Sequence, residues 1–216
     1  GAPSGAVVLA DEQKKGRGRK GRTWYTPPNV ALAVSVILKP TPDYLSRINI
    51  IGALSVYDLA EHVGCASIGI KWPNDVQING KKVCGILPEV VWNGDVLEGV
   101  ILGIGINVRN DFSHTELMHQ ATTLESEVGH SLNRADLINY LMQRIDYWHD
   151  RITSDEVFTT WKARLNMLGK HIVVDGIAGQ AIDVDPDCTL RILNDAGQAQ
   201  QVFAGDVFVV QQAETD

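Results

Sequence analysis

The chain has 216 residues, of which 44% are hydrophobic and 21% charged, so it can bury a core and has an ordinary globular composition. Its net charge of −7 argues against a general nucleic-acid binder, and no apolar run is long enough to cross a bilayer. The three cysteines, Cys65, Cys84 and Cys188, are widely spaced and odd in number, which argues against a disulfide framework or a zinc site and favours a reducing cytoplasm.

The first part of the chain predicts two strands and a helix. Residues 6–10 are apolar and predict a short buried strand, which a loop rich in glycine and basic residues follows. Residues 31–38 form an almost continuous apolar run, which is typical of a central strand. Thr41 as N-cap and Pro42 in the first turn then predict the start of a helix that Gly64 ends.

A series of strands is predicted in the middle of the chain. Asn79-Gly80 and Asn93-Gly94 each stand between β-forming residues, and Asn-Gly predicts a hairpin because both turn positions favour positive φ. The strand after the second turn is expected to cover residues 96–108. Neighbouring strands should therefore pair antiparallel, with no helix between them.

The last third of the chain predicts helices followed by short strands. Asn133 is a plausible N-cap for a helix over residues 134–151, and a second helix is expected over residues 155–165. From Lys170 onward, short β-forming runs alternate with turn residues, which favours a small β-barrel or SH3-like unit. Gly169 is the expected boundary between the two regions.

The most basic segment reads Gln13-Lys-Lys-Gly-Arg-Gly-Arg-Lys-Gly-Arg-Thr-Trp24. Residues 11–22 carry a local charge of +4, whereas the rest of the chain carries −11. Its glycines let the backbone approach a ligand closely, and its arginines supply paired donors for carboxylate or phosphate oxygens. On composition alone a solvated basic loop or a nucleic-acid patch explains it equally well. The alternation of glycine with arginine favours a clasp around an anionic ligand.

Three further segments are candidates for chemistry. Lys71-Trp-Pro-Asn-Asp75 places at a strand end a lysine that can offset negative charge on a phosphoryl group, although alone it reads more readily as a tight turn with a packed indole. Gly80–Leu87 and Gly103–Asn107 carry glycines that mark either close packing within a sheet or a place where a planar ligand meets the backbone. The chain has neither a P-loop nor a complete dinucleotide fingerprint, so ATP would be held in another way.

Taken together and in order, these segments resemble the motifs of biotin protein ligases. The matching positions are Gly16–Trp24, Lys71–Asp75, Gly80–Leu87 and Gly103–Asn107. The resemblance spans nearly the whole chain, because that family also ends in a small SH3-like domain. It implies an α+β fold, with a mixed, mainly antiparallel sheet flanked by helices as in lipoate ligases, plus a small C-terminal SH3-like β-barrel.

The same resemblance implies a domain organisation. Residues 1–168 would form the catalytic domain and residues 169–216 the SH3-like domain. In the family, a strand and helix with a Ser/Thr-Thr-Asn segment that helps to hold biotin precede the first strand found here. Either a fragment is at hand, therefore, or that part of the pocket is missing. The helix-turn-helix of bifunctional family members is not seen either, so DNA binding is not expected.

The activity implied is the two-step attachment of biotin to a protein. Biotin would react with ATP and Mg²⁺ to give biotinyl-5′-AMP, and a lysine of a biotin carboxyl carrier protein or domain of a carboxylase would then accept the biotinyl group. No enzyme nucleophile is needed, which suits a sequence without a Ser/His/Asp or Cys/His signature. No membrane partner is expected, and the sheet edges are compatible with a homodimer.

The resemblance also implies the site residues. Lys71 and Arg19 are the expected catalytic residues, with Asn74 and Asp75 as secondary candidates for contact with ligand or magnesium. No metal ligand is assigned, and Cys84 is interpreted as a packing residue. The residues expected to bind biotin or the adenylate are Gln13, Gly16, Arg17, Gly18, Arg19, Trp24, Lys71, Gly85 and Asn107.

Two other functions remain open from the sequence. A lipoate or octanoate ligase or transferase would share the fold, although the Gly-Arg segment favours biotin. A non-catalytic module that binds a carrier protein through its SH3-like part is a second alternative. A regulatory DNA-binding protein should have a basic helix, which the sequence lacks.

Overall fold

Two antiparallel sheets organise the chain, and the computed structural model describes residues 1–210. The strands of the first sheet are β1 (Val7–Ala10), β2 (Ala31–Leu38), β3 (Ile68–Lys71), β4 (Asp75–Ile78), β5 (Lys81–Asn93) and β6 (Val96–Asn107). Their spatial order is β1-β2-β6-β5-β4-β3, and all of their ladders are antiparallel. In the described part of the chain, parallel pairing is limited to isolated bridges such as Ile70 with Leu165. The predicted mainly antiparallel sheet is confirmed.

The first strand differs from its prediction. Residues 6–10 were expected to be buried, but Val7, Val8 and Leu9 are 41%, 61% and 50% exposed. The reason is position: within residues 1–210, β1 is an edge strand that pairs only with β2. Apolar composition indicates a strand, but it does not indicate which other elements cover it.

The Asn-Gly turns differ in their outcome. Asn79 and Gly80 have φ of 51° and 76°, so the first hairpin is confirmed. At the second hairpin Asn93 is still paired with Val96, and the chain reverses one residue later than predicted. The residues between the two turns form the single strand β5, which is irregular between Val91 and Trp92.

Helices cover one face of the first sheet. They are α1 (Leu45–His62), α2 (Leu124–Val128), α3 (Arg134–His149) and α4 (Asp155–Ala163). Thr41 does not cap α1 with its side chain, because a 3-10 turn over Pro42–Tyr44 comes first. Asn133 does cap α3 as predicted, accepting a hydrogen bond of 2.8 Å from the amide of Ala135. No helix within residues 1–210 is long and apolar enough to cross a membrane.

A buried carboxylate joins the helices to one another. Asp58 of α1 is 7% exposed and accepts hydrogen bonds from Arg144, Trp148 and Arg164 at 2.7–2.8 Å. The carbonyl of Arg164 in turn accepts a hydrogen bond of 2.9 Å from the amide of Ile70. The helical layer therefore fixes β3, the strand that ends at Lys71.

The second sheet is small and has five strands. They are β7 (His171–Val174), β8 (Ile177–Val184), β9 (Leu190–Asn194), β10 (Ala199–Val202) and β11 (Val207–Val209), in the order β10-β9-β8-β7-β11. The predicted small C-terminal β unit is confirmed. Gly169 lies between α4 and this sheet with φ of 80°, and its assignment as a domain boundary stays a prediction.

Candidate active site

A cavity of about 800 Å³ opens where the first sheet meets the Gly-Arg loop, residues 13–24, and strand β11. Most residues expected to bind ligand line it: Gln13, Arg17, Gly18, Arg19, Trp24, Lys71, Gly85 and Asn107, together with Asn74 and Asp75. Gly16 lies beside an adjoining cleft on the same loop. The structure thus brings together segments that are far apart in the sequence, and the binding roles themselves stay predictions.

The Gly-Arg loop is a narrow hairpin that glycines make possible. The carbonyl of Gly16 accepts a hydrogen bond of 2.9 Å from the amide of Trp24, and the amide of Gly18 donates to the carbonyl of Arg22 at 2.7 Å. A β-carbon at residue 16 would overlap the carbonyl of Trp24. The spacing of the glycines therefore allows the two arms of the loop to lie close together.

The cations of this loop have partners within the chain. Arg17 forms an ion pair with Glu89 at 3.1 Å, and Arg22 forms one with Asp206. Lys20 pairs with Asp175 at 3.1 Å. Because Asp175 and Asp206 belong to the C-terminal region, the small sheet holds the loop over the cavity.

Arg19 is oriented by Asn74 and by the C-terminal sheet. Its Nη1 donates to Oδ1 of Asn74 at 3.0 Å and to the carbonyl of Gly205 at 3.4 Å. Asn74 is itself fixed, since its Nδ2 donates to the carbonyl of Ile86 at 2.7 Å and its carbonyl accepts from the amide of Ile86 at 2.9 Å. Asn74 therefore presents a rigid acceptor to the guanidinium of Arg19.

The turn at Lys71–Asp75 combines the structural and the functional interpretation. Trp72 is 1% exposed, and its Nε1 donates to the carbonyl of Cys188 at 2.8 Å. It is therefore the packed indole expected if the segment is a tight turn. Lys71 and Asn74 on either side of it line the cavity. Burial of the indole thus anchors the turn that presents these polar groups.

Besides Lys15 of the Gly-Arg loop, two lysines of the first sheet line the cavity, and their environments differ. Nζ of Lys82 lies 2.7 Å from Oδ1 of Asp75 and 5.5 Å from the ring centre of Trp24. Among residues 1–210, Nζ of Lys71 has no carboxylate oxygen within 4.0 Å and no hydrogen bond, and it lies 5.4 Å from the ring centre of Phe208. Burial lowers the pKa of Lys71 below that of an ordinary lysine, although Asp75 opposes this shift.

A pair of glycines faces Trp24. Gly85 and Gly105 are partners across β5 and β6. A β-carbon at Gly105 would lie 2.8 Å from Cζ2 of Trp24 and would overlap Cε2 and Nε1, and one at Gly85 would lie 3.3 Å from Cζ3. The planar group against these glycines is therefore the indole of the chain itself. Its Nε1 is buried and has no hydrogen-bond partner within the described part of the chain.

Asn107 and Cys84 are held inside the protein. Asn107 is 3% exposed, and its Nδ2 donates to the carbonyl of Thr122 at 3.1 Å, so one of its functions is to hold the segment that follows β6. Cys84 is fully buried, and burial raises the pKa of its thiol. A thiol that stays protonated in the core agrees with the interpretation of Cys84 as a packing residue.

The sequence analysis missed several cavity residues. Lys82 belongs to a segment that was singled out, and the register fixed by the Asn79-Gly80 turn, which pairs Lys82 with Gln77, could have placed it near Asp75. Other residues come from the loop after β6, from β11 and from the two residues before it, and no local signal pointed to them because tertiary contacts bring them in. They are Phe112, Leu117, His119, Gln120, Gly205, Asp206, Val207 and Phe208.

The chain is similar to known ligases along most of its length. Residues 1–107 match the biotin/lipoate A/B protein ligase family. A biotin–[acetyl-CoA-carboxylase] ligase of Paracoccus denitrificans is 32% identical over 223 residues, covering 96% of this chain and 92% of that protein. The bifunctional ligase/repressor BirA of Bacillus spizizenii is 38% identical over 223 residues, and this chain spans 66% of its length.

A solved structure has the same fold. The biotin protein ligase of Aquifex aeolicus, determined in complex with biotin and ATP, matches with a TM-score of 0.83 and 26% identity. The match covers 98% of this chain and 91% of that one. Both sheets described above thus fall within the aligned region.

Proposed function

Because the chain belongs to the biotin protein ligases of the biotin/lipoate A/B protein ligase family, we propose that it joins biotin to ATP and then transfers the biotinyl group to a carrier protein. The family and the fold class predicted from the sequence are confirmed. The observation that carries the proposal is the cavity of about 800 Å³ that Lys71, Lys82 and the Gly-Arg loop with its Arg19 surround. That volume is suited to an adenylate.

The first step needs positive charge more than it needs a nucleophile. An oxygen of the biotin carboxylate attacks the α-phosphorus of ATP, the bond to pyrophosphate breaks, and biotinyl-5′-AMP forms. Lys71, Lys82 and Arg19 are placed to offset the charge shared by the carboxylate and the phosphoryl group. Rigid placement of both reactants supplies the rest of the acceleration.

The second step transfers the acyl group to an amine. The ε-amine of a carrier lysine attacks the acyl carbon, the bond to the phosphate breaks, and AMP leaves with the electron pair while the new amide loses a proton. We assign Lys71 as the first candidate for a catalytic residue. Arg19 is the other, as the sequence predicts, and Lys82 ranks below them because its ammonium group is already paired with Asp75.

The other proposed contacts with the ligand are assigned from the residues that line the cavity. Gln13, Arg17 and Gly18, with Gly16 beside them, would contact biotin and the adenylate phosphate. Trp24, Gly85 and Asn107 would border the adenylate. The aromatic and apolar residues of the loop after β6, such as Phe112, provide a surface on which a flat base can pack.

Magnesium is proposed to enter with the nucleotide. Residues 1–210 contain no group of three His, Cys, Asp or Glu side chains that could hold a metal. Mg²⁺ commonly binds through one or two carboxylates together with substrate phosphates, and Asp75, which lines the cavity, fits that use. Bound there, the ion would offset phosphate charge.

The partner and the location are part of the same proposal. The acceptor would be a biotin carboxyl carrier protein or domain of a biotin-dependent carboxylase, as the names of the relatives suggest. A homodimer is compatible with the exposed edge strand β1. A reducing cytoplasm suits three free cysteines.

Exchange of labelled pyrophosphate into ATP tests the first step directly. Exchange should depend on biotin and should be lost in Lys71→Ala. Exchange that depends on lipoate or octanoate instead would favour the other ligases of this fold. No exchange in the chain or in an N-terminally extended form, with carrier binding retained, would favour a non-catalytic binding module.

A further inference from the structure

The ammonium group of Lys71 is held in an unusual way for a partly buried cation. Within residues 1–210 it has no hydrogen bond and no carboxylate within 4.0 Å, and its near neighbour is the ring of Phe208, 5.4 Å away. Lys82, in contrast, is paired with Asp75. Of the two cavity lysines that belong to the first sheet, therefore, Lys71 keeps its three N–H donors uncommitted.

We propose that Phe208 is a positioning residue that holds the Lys71 ammonium over its ring, so that the free donors point to an anionic ligand. The inference rests on the proposed function, since the anion is the biotin carboxylate or the α-phosphate. A cation over an aromatic face is attracted by the ring quadrupole and gives up no hydrogen bond. A carboxylate in the same place would compete with the ligand for the lysine.

The exposure of Phe208 supports a role outside the core. Val207 is fully buried, whereas the next residue of β11, Phe208, is 63% exposed. The ring lines the cavity, and it is not part of the hydrophobic core. The contact with Lys71 gives this exposed ring a role that core packing does not.

The structure also fixes the position of the ring relative to Lys71. Phe208 is paired with Val173 in the small sheet, and the residues just before it contact the Gly-Arg loop. The carbonyl of Gly205 accepts from Arg19, and the carboxylate of Asp206 pairs with Arg22. Strand β11 is thus held against the cavity at several points.

Three substitutions distinguish an effect of the aromatic ring of Phe208 from an effect of the size of its side chain. Phe208→Leu keeps an apolar side chain and removes the ring, whereas Phe208→Tyr keeps the ring. Phe203→Leu is the matched control, because Phe203 lies in the same region, is 75% exposed and does not line the cavity. We expect Phe208→Leu to lower affinity for biotinyl-5′-AMP by about two- to tenfold, with little change in the other two variants.

A double-mutant cycle shows whether the ring acts through the lysine. Biotinyl-5′-AMP binding, measured by titration, remains accessible even where turnover is lost. If Phe208 works through Lys71, Phe208→Leu should have no further effect in a Lys71→Ala background. Equal effects in both backgrounds, or an equal loss in Phe203→Leu, would overturn the proposal.

A measurement without substrate distinguishes this inference from the proposed function. The ring current of Phe208 should shift the ε-CH₂ protons of Lys71 upfield in NMR spectra of the full chain, with the signal assigned by its loss in Lys71→Arg. The shift should vanish in Phe208→Leu and persist in Phe208→Tyr. An unshifted Lys71 signal would contradict the positioning role, whereas absent pyrophosphate exchange with a shifted signal would contradict the proposed function alone.

Discussion

Trp24 lies directly against Gly105, so closely that a β-carbon on the glycine would overlap the indole ring. The tryptophan comes from the Gly-Arg loop, and the glycine lies in strand β6, two residues before its end. The contact therefore joins the basic loop to the first sheet. It also explains why a glycine stands within a strand, where it otherwise weakens pairing.

Gly105→Ala should displace the indole and impair the cavity. The added methyl group meets the ring of Trp24, so we expect pyrophosphate exchange to fall by about 100-fold. Gly85→Ala is the matched comparison, since its nearest contacts at 3.2 Å are the flexible end of Lys82. Its effect should be clearly smaller. Equal losses in both variants would show that the contact with Trp24 is not the cause.

The two lysines should respond differently to removal of a charge partner. Lys71→Ala and Lys82→Ala should each lower exchange by about 100-fold or more, because each removes positive charge from the reacting groups. Lys82→Ala also leaves Asp75 uncompensated. Addition of Asp75→Asn should therefore restore part of the affinity for ATP in Lys82→Ala and none in Lys71→Ala, as measured by equilibrium titration without Mg²⁺, where the proposed metal-binding role of Asp75 does not contribute.

What the sequence could predict here was local. The first Asn-Gly hairpin and the cap of α3 depend on residues adjacent in the chain, and both were found in the structure. The Gly-Arg loop and Lys71 were singled out because their residue types suit an anion. The contact of Lys71 with Phe208 could not be predicted, because it joins residues 137 positions apart through the packing of two sheets.

The sequence also could not predict which elements would be buried. Residues 7–9 have the composition of a central strand but lie at the sheet edge, since composition does not reveal the number of neighbours. The wall formed by Phe112 and the loop after β6 depends on two backbone hydrogen bonds: the amide of Lys82 donates to the carbonyl of Gln120, and the amide of Thr122 donates to the carbonyl of Lys82. Such pairings between distant segments have no periodic signal.

The activity should decline at alkaline pH as Lys71 loses its proton. Burial lowers its pKa from the ordinary 10.5, with Lys82 and Arg22 acting in the same direction and Asp75 and Asp206 opposing them. The charged form is the one required, so kcat/KM should fall at a pH below 10.5. Lys71→Arg, if active, should lack this decline, because arginine keeps its charge. An unchanged alkaline profile in that variant would assign the decline to another group.

Asp58 should be a major determinant of stability. Asp58→Ala would leave Arg144 and Arg164 without their shared carboxylate in a largely buried place, so we expect a loss of about 3 kcal/mol in the free energy of unfolding. The exposed pair of Lys162 with Asp183 offers a control, and Asp183→Ala should cost about 1 kcal/mol or less. Urea unfolding followed by circular dichroism measures both. A similar loss in the two variants would show that burial of the carboxylate is unimportant.

The Gly-Arg loop should be protected from proteolysis by anionic partners. Without ligand these are carboxylates of the chain, and with ligand the adenylate phosphate is added. Asp206→Ala removes the carboxylate that pairs with Arg22, so trypsin should cleave within residues 17–22 faster than in the unaltered chain. Biotin with ATP should slow cleavage in both proteins, because the adenylate phosphate would provide a new anion for the same cations. Asp195→Ala, far along the C-terminal sheet and paired with His171, serves as the control and should cleave at the original rate. Equal cleavage with and without biotin and ATP would mean that the loop does not close on the adenylate.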